Sequence, residues 1–133
     1  MEPMIADALE PVLTDIRTTG APAPRIADER WDPEQSTVVL LRPDGTGAGV
    51  GVDRAASRPA RVVQAADAAQ EWVIESFWRL GLATGWPICP AHPATHPLGA
   101  VLDGDRPLWR CPAGAAVAIP IGSLERDQPA DTR

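Results

Sequence analysis

Residues 86–98 read WPICPAHPATHPL. These thirteen positions hold one cysteine, two histidines and four prolines, although the whole 133-residue chain has only two cysteines and two histidines. The other cysteine lies in RCPAG (110–114), so Cys-Pro-Ala occurs twice, followed by His92 in the first copy and Gly114 in the second. Cys89, His92, His96 and Cys111 each precede a proline, which pushes all four toward extended backbone. A chain stiffened in this way loses less entropy on ordering, where each freely moving residue costs about 1–2 kcal/mol.

Two thiolates and two imidazoles suit tetrahedral zinc, and Cys89, His92, His96 and Cys111 offer them in a C-x2-H-x3-H-x14-C spacing. Pro97 stops the histidines from sharing a long helix, which separates this pattern from a C2H2 finger. Pro93 stands where a zinc-protease helix needs its glutamate base. Residues 86–122 resemble the paired Cys-Pro-x-Cys knuckles of zinc ribbons. That resemblance implies two tight, ligand-bearing turns joined by an antiparallel hairpin. The chain departs from it in two places: His92 replaces the second cysteine of the first knuckle, and Gly114 offers no side-chain ligand, so His96 is the substitute. The wider W-P-x-C-P-x-H-P-x2-H-P-L pattern is similar to that of small proteins of high-GC bacteria, a resemblance that implies no activity. Trp86, Trp109, Leu98 and Leu108 are expected to shield the ion. Two other readings stay open: a Cys89–Cys111 disulfide across the hairpin, and inert buried thiols with surface histidines.

Working outward, residues 57–81, SRPARVVQAADAAQEWVIESFWRLG, predict a long amphipathic helix. Ser57 caps it, Pro59 suits the first turn and Gly81 ends it. Val62, Ala66, Ala69, Val73, Phe77 and Leu80 form its apolar stripe, with Trp72 toward the edge. Trp72 and Trp78 are the candidate anchors for a protein partner. Residues 36–54 predict a β-hairpin: a β-branched run, a turn signal RPDGTG, then Ala48, Val50 and Val52 alternating with Gly47, Gly49 and Gly51. A bare glycine face admits a backbone or a flat indole, whereas a phosphate loop would need the glycines to open a helix.

Residues 1–35 are expected to supply an N-terminal helical segment broken or shortened at Pro11, followed by a Gly/Pro-rich linker with Trp31 as an anchor. The segment after the histidines predicts strand, DGDRP turn, strand, knuckle and strand. Residues 125–133 are expected to form a mobile tail. The fold class is therefore α+β: a hairpin and a long amphipathic helix, followed by a zinc-ribbon-like antiparallel β-module, with residues 36–124 as the single domain.

Composition limits the function. The net charge of −6 opposes a nucleic-acid backbone unless arginines, which make up all twelve basic residues, gather on one face. Neither a secretory signal nor a membrane span is readable, and two cysteines are too few for a disulfide framework, so a cytoplasmic protein is expected. With five tryptophans, one phenylalanine and no tyrosine, any core is thin. The function these features favour is a non-catalytic, zinc-stabilised protein-interaction or assembly module. Its alternatives are a nucleic-acid-binding zinc ribbon and a metal-dependent hydrolase with an open zinc position, using Cys89, His92 and Cys111 as ligands and Asp103 or Asp105 as base. The chain has no P-loop and no G-x-S-x-G elbow to support another catalytic class.

Overall fold

The computed structural model describes residues 1–126; the last seven positions of the expected tail lie outside the described residues. Two helices and two antiparallel three-stranded sheets build an α+β fold. The chain order is α1 (Pro3–Thr19), β1 (Arg25–Asp28), β2 (Gln35–Leu41), β3 (Gly47–Asp53), α2 (Arg58–Arg79), β4 (Gly99–Asp103), β5 (Arg106–Arg110) and β6 (Ala118–Pro120). The first sheet has the order β1-β2-β3 and the second β4-β5-β6.

Helix α2 joins the parts, because it touches α1, β3, β4 and β5. Ser57 Oγ accepts the Ala60 amide at 3.3 Å, which satisfies one of the donors a helix start leaves open. At the other end Gly81, at φ +81°, lets its own amide reach Trp78 O and that of Leu82 reach Phe77 O, both at 2.9 Å. Between the caps, Ala65, Ala66 and Ala69 are fully buried, and these short side chains let neighbouring elements come close to the helix axis.

Trp72 differs from its expected place at the helix edge. Only 2% of it is exposed, because the Arg42 guanidinium lies 5.0 Å from the indole centroid and is held there by Ser76 Oγ and Trp72 O. Trp78, by contrast, is 67% exposed.

The N-terminal region is more ordered than its prolines predict. Helix α1 runs unbroken through Pro11, and the expected linker contains β1, which pairs with β2 from Arg25↔Leu41 to Asp28↔Val38. Proline removes the donor that would meet Asp7 O, yet Ile5, Ala8, Leu9, Val12 and Ile16 bury a continuous stripe around that break. Ser36 Oγ accepts the Ile5 amide and fastens the start of α1 to β2. The bare face of β3 holds an indole: a Cβ on Gly49 would stand 2.7 Å from Trp31 Cη2.

The second sheet is tied to the helices by buried polar contacts. Asp15, fully buried on α1, accepts Trp109 Nε1 at 2.8 Å and the amides of Gly122 at 2.7 Å and Leu124 at 3.0 Å. Trp86 Nε1 donates to Thr19 Oγ1 at 3.0 Å, and Gln70 Nε2 on α2 donates to the carbonyls of Trp86 and Leu98. Gly122 lies against Pro11, where an added Cβ would come within 2.9 Å of the ring, and its φ of +105° suits glycine alone.

Removing the Asp15 carboxylate strands three buried donors, so Asp15→Ala should cost about 2–4 kcal/mol in urea unfolding. Burial raises the Asp15 pKa above its ordinary 3.8, and its three hydrogen bonds only partly oppose that. The native state then holds a proton that the unfolded chain has already released, so this group's contribution falls as pH rises through the window above 3.8. Stability of the wild type relative to Asp15→Asn should decline over that window; a pH-independent difference would contradict the assignment.

Candidate metal centre

The site is built from two turns of the same design. In the first, the His92 amide donates to Cys89 O at 3.1 Å; in the second, the Gly114 amide donates to Cys111 O at 3.4 Å. The repeated Cys-Pro-Ala is therefore repeated backbone geometry. Gly114, at φ +88°, closes the second turn in the left-handed region.

Sheet pairing places the turns. The β4–β5 ladder runs from Gly99↔Arg110 to Asp103↔Arg106, so Cys111 follows directly after β5. Its amide reaches Val117 O at 3.2 Å. On the other side, a single antiparallel bridge pairs Ile88 with Pro97, and the Leu98 amide donates to Pro87 O at 2.9 Å. That bridge closes the loop carrying both histidines and brings His96 back beside Cys89.

One ligand atom from each of Cys89, His92, His96 and Cys111 lies within 4.8 Å of all the others. His92 Nδ1 is 3.7 Å from Cys89 Sγ and 3.5 Å from Cys111 Sγ. Sulfur and nitrogen on one tetrahedral ion, with bonds of about 2.3 and 2.0–2.1 Å, stand about 3.5 Å apart. The cluster therefore has the spacing of a Cys2His2 metal site.

The histidines use different nitrogens. His96 Nδ1 lies 3.0 Å from Pro97 O, a group that only accepts, so Nδ1 is the donor there and, in the neutral ring, Nε2 is the nitrogen left to bind an ion. His96 Nε2 is buried and has no hydrogen-bond partner among the described residues. A buried acceptor without a donor is costly, and a cation supplies what it lacks. His92 faces the sulfurs through Nδ1.

The thiols lie in the core: Cys89 is 0% and Cys111 2% exposed, and neither is in a disulfide. Burial opposes ionisation of Cys111, but the amides of Ala115 and Ala113, the Cys89 thiol and the Gly114 amide bring its pKa below the usual thiol range. Trp86 and Trp109 meet edge to face at 5.5 Å between centroids, and with Leu98 and Leu108 they are buried.

Asp103 and Asp105 occupy the β4–β5 turn and its margin, with Gly104 at φ +63°. Asp103 is engaged by Arg110 Nη2 at 2.9 Å. Asp15, Thr19 and Gln70, which orient the two tryptophans and the ligand-bearing segment, escape a motif search because they lie far away in sequence. One signal was present: Asp15 interrupts the apolar stripe between Val12 and Ile16. No protein-family model matches this chain, nor does any curated protein or solved structure.

Loss of an outer partner of a metal site costs about 10–100-fold in affinity, so loss of a ligand should cost at least that much. Competition titration with Co²⁺ should show this weakening for His92→Ala and for His96→Ala separately. An unchanged affinity in His96→Ala would remove that residue from the coordination set.

Proposed function

We propose that this chain is a zinc-stabilised, non-catalytic interaction or assembly module. The observation that carries the reading is the convergence of four donors, with His96 Nε2 buried and without a hydrogen-bond partner among the described residues. Two sulfurs and two imidazoles make a donor set that favours zinc over harder ions, and four ligands from one chain complete a tetrahedron. Zinc in small modules supplies folding free energy on the order of ten kcal/mol, enough to matter where the aromatic core is thin. Two free thiols fit a reducing compartment such as the cytoplasm. Among the described residues no helix is long and apolar enough to cross a membrane.

The interaction part of the reading is supported by the end of α2 and the turn after it. Trp78, Leu80 and Leu82 are 67%, 68% and 51% exposed there. Tryptophan on such a surface is a preferred anchor for a protein partner. Six of the twelve arginines, Arg17, Arg42, Arg54, Arg58, Arg79 and Arg110, each face a carboxylate within 4.0 Å, which reduces what they offer to a phosphate backbone. A hydrolytic zinc would need an open coordination position, which a complete Cys2His2 set does not leave.

Purified protein should contain about one zinc per chain, and a strong chelator should abolish its cooperative unfolding transition. Metal-free protein that melts identically would end the zinc reading. Trp78→Ala should change stability by no more than about 0.5 kcal/mol while reducing recovery of protein partners in affinity capture. Equal recovery would clear Trp78 of that role.

A further inference from the structure

The four donors are not equivalent. Cys89 and Cys111 sit inside the hydrophobic core beside Trp86, Leu98 and Trp109, whereas His92 and His96 are half-buried on a loop whose residues 90, 91 and 93–95 are exposed. The inner wall of the site is thiol and the outer wall imidazole. Each wall also has its own supports. Cys111 is fixed by its amide to Val117 O and by the end of β5, and Cys89 by the Ile88–Pro97 bridge beside it. Within the loop, the Thr95 amide meets His92 O and His96 Nδ1 meets the carbonyl of its own neighbour Pro97. Apart from the turn bond from the His92 amide to Cys89 O and the approach of His92 Nδ1 to the two sulfurs, the loop's contacts are its own, so an ion would strengthen the link between the outer wall and the core.

We propose that the centre is an oxidation switch in which Cys89 and Cys111 form a disulfide, zinc departs, and the 90–96 loop is loosened while the Ile88–Pro97 bridge and the surrounding core stay closed. This rests on the zinc reading above and adds its regulation. The sulfurs start within 4.8 Å of one another, close enough for the pair to be drawn together into a bond of about 2.05 Å. The co-reactant is a peroxide. One thiolate attacks a peroxide oxygen, breaking the O–O bond to give a sulfenic acid and hydroxide. The second thiolate attacks that sulfur, forms the S–S bond and expels a second hydroxide. For hydrogen peroxide, two protons from solvent convert the hydroxides to water. The two electrons lost by the sulfurs are those gained by the peroxide, and zinc leaves as Zn²⁺ with both imidazoles neutral.

Once the thiols are joined, nothing holds the ion but two imidazoles, too few for tight binding. The new covalent link spans the same two turns that the metal had spanned, so Trp86 and Trp109 keep their setting. A second thiol so close also diverts the sulfenic acid from further oxidation.

The test uses the full-length zinc-loaded protein, titrated with hydrogen peroxide in the presence of a chromogenic zinc chelator. About one zinc should be released per disulfide formed, with an intact mass about 2 Da below that of the reduced, metal-free chain and no added oxygen. Exchange at the amides of residues 91, 92 and 94–96 should accelerate at least about tenfold while near-ultraviolet dichroism of the tryptophans persists. Dithiothreitol with added zinc should reverse all of these changes. Retained zinc, release accompanied only by oxygen adducts, or loss of the tryptophan signal would overturn the switch and leave the zinc reading intact. Protein carrying no zinc before oxidation would sink that reading, and the switch with it.

Discussion

A carboxylate shut away from water must find its donors within the protein, and Asp15 finds all three in the C-terminal part of the chain. Trp109 Nε1 and the amides of Gly122 and Leu124 converge on it from around the second sheet. The Trp109 hydrogen bond ties β5 to α1, and Cys111 follows Trp109 by two residues. Thr19 and Gln70 do the same for the segment leading into Cys89, through Trp86 and the carbonyls of Trp86 and Leu98. The helices therefore aim the two thiol-bearing turns without contributing a ligand. Polar groups of this kind add less net stability than their number suggests, but they are expensive to leave unmatched, which makes them good determinants of register.

Local chemistry was the most legible part of the sequence. The repeated Cys-Pro-Ala marks two equivalent turns, the stripe from Val62 to Val73 marks α2, and Ser57 and Gly81 mark its ends. The glycines of β3 left room for a backbone or a flat indole, and at Gly49 it is Trp31 that arrives. His96, chosen because Gly114 has no side chain, lies close to Cys89, His92 and Cys111.

What escaped the sequence depends on distant partners. Pro11 looked like a helix break because its cost is local, whereas the burial of Ile5, Leu9, Val12 and Ile16 that outweighs it comes from packing. Strand β1 has only four residues and little β-character of its own; it exists because β2 presents an edge to it. Trp72 was misplaced for a similar reason, since Arg42 lies thirty positions earlier and no periodicity within α2 can reveal that a guanidinium covers its indole.

Pro11 and Gly122 illustrate how such pairings constrain descent. One residue weakens the helix that carries it, and the other occupies backbone that branched side chains avoid, yet the ring of the first fits only against the bare Cα of the second. Neither position can drift freely while its counterpart stands. A substitution at Gly122 meets the ring, and a bulkier residue at Pro11 meets the C-terminal segment. In diverging lineages the two sites should be inherited as a unit or exchanged together, a coevolving couplet separated by most of the chain.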